Sequence, residues 1–206
     1  MNIFQNNWFR ALDVIVNFFL LNMVWLVFCT PVVTIFPATK ALYSVVRKWQ
    51  RDRDYVVVKP FWKFFKEGIN QTMKIGAVWI MVGVLLVLDY ILIDPSASSF
   101  HLLLFIVTII LTFMFVIVST YLFPVIAHVD TDAKNTIRNA VMLTFSYPGT
   151  TFLLAGTMAI ALYLLITFPI SILLLGSVGA YFIYYLCNRV FETITHVDDE
   201  SRQGSA

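Results

Sequence analysis

The 206-residue chain is 60% hydrophobic and 13% charged, with a mean hydropathy of +0.83, where ordinary globular chains carry about 25% charged residues. This balance excludes a soluble single-core domain, because the apolar residues gather in runs long enough to cross a bilayer, about 20 residues of helix each. The formal charge of +2 says little by itself; its distribution along the chain says more.

A first spanning segment is predicted over residues 13–36, with Trp8 and Phe9 ahead of it as interfacial anchors. Residues 1–10 carry one cation, and no small-residue cleavage site precedes Pro31, so the segment is expected to stay as a membrane helix. Asp13 and Asn17 share a helix face and Asn22 lies elsewhere. Polar groups in such a helix bridge to other helices, for about 1 kcal/mol each, or contact a substrate. Pro31 and Pro37 cannot both lie inside one regular helix, since each removes a donor and clashes with the preceding turn. With Thr34 they define a structural corner, where hydroxyls and neighbouring helices take up the backbone groups set loose.

Residues 38–49 then read as a short helix at the membrane surface, followed by a mixed-charge turn over 47–54 that must face water. Pro60 opens an amphipathic helix over 61–74, with Phe61 and Phe65 on one side and Lys63, Lys66 and Lys74 toward the other. Lysine stems beside aromatics suit contact with lipid headgroups or a partner protein. This helix is expected to run unbroken into the second span, 75–93, where Gly76 and Gly83 would admit another backbone. Asp89, near the outer end of that span, is either functional or snorkelling to water.

The third span, 100–126, carries Thr108, Thr112 and Ser119 on a common face, hydroxyls able to bond their own i−4 carbonyls. Pro124 loosens its inner end. A second surface helix is predicted over 130–144, then a fourth span over 150–168 and a fifth over 170–190, with Asn188 in a polar-tipped stripe. Residues 1–197 read as a single integral membrane helical domain and 198–206 as a disordered polar tail. A weaker echo of the order span, proline corner, amphipathic helix, span follows over 100–168, as a duplicated unit would leave.

The stretch 21–48, LNMVWLVFCTPVVTIFPATKALYSVVRK, resembles the YesL-like family of bacterial membrane proteins. The likeness extends to Phe61, Phe64, Phe65 and Lys66, and to LFPVIAHVDTDAKNTIRNAVML over 122–143. The resemblance implies a protein of the bacterial cytoplasmic membrane, encoded beside sugar importers and enzymes of plant-polysaccharide breakdown. It implies no catalytic or binding residues.

Every Lys and Arg except Arg10 falls on one side of the five-span arrangement. Cations in short loops mark the cytoplasmic face, which predicts the N-terminus outside and the C-terminus cytoplasmic. Catalytic and metal spacings are lacking: His101, His128 and His196 are isolated, and Cys29 and Cys187 fall in apolar segments suited to packing. No cofactor or metal is expected. The cations interleave with Phe and Trp, which favours membrane lipids or a protein partner over nucleic acid.

The sequence thus predicts an all-α polytopic membrane helix bundle with five transmembrane helices and two cytoplasmic-side amphipathic surface helices. The expected function is that of a non-catalytic accessory or regulatory subunit of a carbohydrate (ABC-type) importer, with the permease as partner. The alternatives are a small stand-alone transporter or channel, using polar positions such as Asn17, Asn22, Thr112 and Asn188, and an intramembrane enzyme.

Overall fold

The computed structural model describes the backbone of residues 7–128 and 132–203, and the side chains of 12–128 and 132–193. Among these residues are eight α-helices and no strands: α1 (Asn7–Cys29), α2 (Ile35–Asp52), α3 (Val58–Lys66), α4 (Ile69–Leu92), α5 (Ser99–His128), α6 (Ala133–Ser146), α7 (Pro148–Thr167) and α8 (Ile172–Gln203). Short 3-10 turns at Val32–Thr34 and Pro169–Ser171 join α1 to α2 and α7 to α8. Among the described residues five helical stretches are long and apolar enough to cross a membrane: Leu12–Cys29, Ile69–Leu92, Ser99–His128, Pro148–Thr167 and Pro169–Thr193. The protein is a helical membrane bundle. The side chains of Trp8, Phe9 and His196, the cap residues Asp130 and Thr131, and residues 204–206 lie outside the described set. Helix α8 continues to Gln203, through the first part of the stretch expected as a polar tail.

The corner forms, but earlier than its second proline. Helix α1 stops at Cys29, and the chain turns through Pro31 and the 3-10 turn. The Thr34 hydroxyl sits between two carbonyl acceptors, Phe28 O at 2.7 Å and Pro31 O at 2.8 Å. Phe28 O is one of the carbonyls that the end of α1 leaves without a helical partner, and Pro31 O also accepts from Thr34 N at 3.0 Å. Pro37 lies inside the first turn of α2, where a missing N–H removes no intrahelical bond.

Helix α2 departs from expectation. Residues 38–49, predicted to lie on a membrane surface, form the centre of the bundle instead. Phe36 through Val46 and Trp49 are buried, and α2 contacts α1, α3, α4, α5 and α8. An amphipathic pattern records only that a helix has two kinds of neighbour. Here the polar side meets other helices rather than water. Trp25 donates its indole N–H to Thr39 Oγ1 at 3.2 Å, and Gln50 donates to Tyr181 O at 2.9 Å. Lys40, 9% exposed, donates to Glu67 O at 2.7 Å.

The long helix predicted over 61–74 and onward is broken. Helix α3 ends at Lys66, Gly68 adopts a left-handed φ of +67°, and α4 starts at Ile69. The break follows from local chemistry: lysines occupy the last turn of α3, and a glycine in left-handed conformation is the usual helix stop. Gly68 O then accepts from Thr72 N at 2.9 Å and from the Thr72 hydroxyl at 3.0 Å, opening the next helix.

Chain direction also differs from expectation. Five successive crossings, with the termini on opposite faces, require α1 and α8 to run the same way. They run opposite ways: Trp25 meets Gly176, Asn22 bonds Ile172 O and Ser177 N, and Phe18 meets Ser177 and Tyr181. Helix α2 returns against α1, with Thr39 beside Trp25 and Trp49 beside Phe18. The hydropathy count had no place for this returning pass.

The hydroxyls of α5 bond within their own helix, as expected. Thr108, Thr112, Ser119 and Thr120 all donate to their i−4 carbonyls, and Ser119 also accepts from the Trp79 indole at 2.8 Å. Asp94 and Ser98 fasten the α4–α5 turn: Asp94 accepts from Ser96 N at 2.9 Å, and Ser98 Oγ accepts from His101 N at 3.3 Å as the cap of α5. The hydrogen bonds from Ser96 hold the Asp94 carboxyl below the usual carboxylate range. Pro124 lies within α5, which continues past it to His128.

Candidate functional site

The polar groups gather at one end of the bundle, where α2 ends and α3 begins. Arg53 closes α2 in the left-handed region, φ +53°, and its N–H bonds Trp49 O at 3.0 Å. The extended segment that follows separates two cavities. One, of about 930 Å³, lies against α1 and sets Asp13 and Asn17 together with Arg53, Asp54 and Lys59, beside Val14, Leu20 and Val57. The other, of about 460 Å³, lies between α2 and α3 and includes Arg47, Lys48, Arg51, Lys59 and Lys63. A third, of about 340 Å³, lies on the α8 side and shares Arg47 and Arg51, adding His128, Tyr184, Asn188 and Glu192.

The charges here are partly neutralised. Lys48 pairs with Asp54 at 3.1 Å, Arg51 with Asp52 at 2.7 Å, and Lys63 with Glu67 at 3.8 Å. Hydrogen bonding from Arg51 holds the Asp52 carboxyl below its ordinary range. Arg47 instead donates to Ala127 O and His128 O, the last carbonyls of α5, where a cation also complements the helix dipole. His128 stacks on Phe191, centroids 4.3 Å apart, with Nδ1 3.1 Å from the Tyr184 hydroxyl.

Helix α3 carries the contact residues singled out from sequence, with one correction. Phe61 and Phe65 do not face lipid or a partner. Both are buried against Phe28, at 5.4 and 4.9 Å between centroids, because the corner brings the end of α1 beside α3. The outward side belongs to Trp62, 47% exposed, with Lys63 and with Lys66, whose Nζ stands 4.5 Å over the Trp62 ring. Lys74 is exposed on α4, beyond the break.

The four polar positions proposed for glue or a pathway do not converge. Asn22 is fully buried; it donates to Ile172 O at 2.6 Å and accepts from Ser177 N at 3.0 Å, joining α1 to the start of α8. Asn17 lines the larger cavity. Thr112 bonds its own helix and borders an apolar groove between α4 and α5. Asn188 donates to Glu192 at 2.7 Å. Sequence reasoning missed Arg47, Lys40 and Ser177. Their only signals were a charge near the corner helix and a small residue after Gly176, neither pointing to a bond more than 25 residues away. Among the described residues no group of His, Cys, Asp and Glu could hold a metal ion.

A bundle of apolar helices around a buried central helix, with cations collected at one end, defines a polytopic membrane protein. The chain belongs to the YesL-like family. Residues 18–90 match the family described as protein of unknown function, DUF624. The uncharacterized protein YteU of Bacillus subtilis (strain 168) is 32% identical over 163 residues, covering 77% of this chain and 72% of that protein. The uncharacterized protein YesL of the same organism is 26% identical over 190 residues, covering 90% of this chain and 88% of its own. No solved structure matches.

Proposed function

We propose that the protein is a non-catalytic accessory or regulatory subunit of a bacterial carbohydrate (ABC-type) importer, with the permease as its partner and α3 as its docking element. The observation that carries this reading is the division of α3. Its phenylalanines hold the helix to the bundle, while Trp62 and Lys66 stack on each other at the surface. An exposed tryptophan among cations on a fixed helix has the composition of an interface hot spot. The choice of partner rests on the gene neighbourhood that the family resemblance implies. Tagged protein purified from native membranes should bring the permease with it. The double variant Trp62→Ala, Lys66→Gln should stay folded and lose that association together with growth on the transported sugar. Full recovery of the permease by the variant refutes docking through α3, and no permease with the wild type refutes the partner.

The cation-rich end is proposed to face the cytoplasm. The opposed directions of α1 and α8 support a cytoplasmic start for α1, in place of the outside N-terminus expected from counting spans. A stand-alone transporter is the second reading, favoured by the 930 Å³ cavity with its mixed charges. Solute flux through purified protein in liposomes would support it over the accessory role.

A further inference from the structure

We propose that the pocket between α2 and α3 binds a phosphate monoester, carried either by a membrane-lipid headgroup or by a small molecule in solution. This goes beyond the accessory role and does not depend on it. Five cations line the 460 Å³ pocket, Arg47, Lys48, Arg51, Lys59 and Lys63, with Asp54 as the one carboxylate among them. The ion pairs account for three of those cations: Lys48 with Asp54, Arg51 with Asp52, and Lys63 with Glu67. Among the described residues Arg47 and Lys59 have no carboxylate partner. Arg47 is also held in place, since its guanidinium is anchored on the carbonyls of Ala127 and His128.

Two positive charges that no described carboxylate neutralises line one cavity and match the charge of a dianionic monoester, and a planar guanidinium beside an ammonium suits its three oxygens. Val56, Pro60 and Phe64 complete the lining, giving apolar surface for the carbon side of the ester. The pairs around the rim reduce nonspecific attraction without cancelling the charge inside, so the pocket discriminates by geometry as well as by field.

The test uses full-length protein purified in mild detergent, with thermal unfolding followed by intrinsic fluorescence. Phosphatidic acid, phosphatidylcholine and glycerol 3-phosphate are titrated separately, and the last also in competition with phosphatidic acid. Phosphatidic acid should stabilise the protein more than phosphatidylcholine does. Lys59→Gln should weaken the response roughly fivefold, the worth of one lysine near an anionic surface. Lys59 is exposed, so its replacement leaves folding intact, unlike that of Arg47. Lys134→Gln, an equal charge change on α6, should leave the response unchanged. Protection or competition by glycerol 3-phosphate assigns the ligand to solution, and its failure assigns it to lipid; either supports the phosphate site. No preference for phosphatidic acid together with no effect of glycerol 3-phosphate overturns the proposal. Equal losses in Lys59→Gln and Lys134→Gln overturn it as well, since bulk surface charge would then explain the binding.

Discussion

The contact between α1 and α8 yields the sharpest quantitative prediction. A Cβ added at Gly176 would fall against Asn22 Oδ1 and only 2.8 Å from the Trp25 ring. Neither side chain can retreat easily: Asn22 is fully buried with both of its bonds made, and Trp25 is tied to Thr39. Gly176→Ala should therefore cost about 2 kcal/mol, within the usual range for overpacking. Asn22→Ala should cost a similar amount, about 1 kcal/mol for each of two buried hydrogen bonds. For a chain of this length each kcal/mol lowers the melting temperature by about 2–4 °C. The informative experiment is the double-mutant cycle, read by thermal unfolding of purified protein. In an Asn22→Ala background the new methyl has room where the amide stood, so Gly176→Ala should cost less by at least about 1 kcal/mol. If Gly176→Ala costs the same in both backgrounds within about 0.5 kcal/mol, the amide is not what excludes a side chain at 176 and the reasoning fails.

Topology can be read with single cysteines at Asn7, Arg51 or Ser98, in a background lacking Cys29 and Cys187. An impermeant maleimide should label Ser98→Cys in intact cells, and Arg51→Cys and Asn7→Cys only after permeabilisation; labelling of Asn7→Cys from outside would reverse the direction of α1 proposed for the membrane. At the corner, Thr34→Val should destabilise by about 1 kcal/mol by removing the hydroxyl shared between Phe28 O and Pro31 O. Pro37→Ala should lower thermal stability less than Thr34→Val does, because Pro37 interrupts no helical bond; the reverse order, measured in the same unfolding assay, would place the mechanical stop at Pro37.

The five apolar stretches were legible because length and hydropathy are properties of a segment alone. So were the hydroxyls of α5, whose partners lie one turn away in the same helix. What was not legible depends on neighbours. The pattern over 38–49 is amphipathic whether its other side meets headgroups or five more helices, and periodicity does not tell these apart. Inward anchoring of Phe61 and Phe65 follows from where the corner delivers Phe28, a distance of 33 and 37 residues along the chain. The break at Gly68 is different, since its signal was present. Lysines at 63 and 66 followed by a glycine form a helix-stop pattern that the long apolar run beyond it obscured. The opposed directions of α1 and α8 were missed for a related reason: counting spans left no place for α2, which runs back against α1.

Gly68 also determines how a load on the protein is carried. Had α3 and α4 been one rod, a push on the Trp62 face would tilt α4 as a lever, and the lipid-facing hairpin of α4 and α5 would feel it first. With a left-handed residue between them the two helices meet at a joint, and rotation of the backbone there absorbs the tilt. The Lys40 ammonium, fixed on Glu67 O, ties that joint to α2, and α2 touches α1, α4, α5 and α8. Surface and span are thus coupled through the central helix as well as through the joint. A load applied at α3 therefore has two routes into the bundle besides the joint, directly to α1 through Phe28 and through α2 to α1, α4, α5 and α8, so no single helix carries it alone.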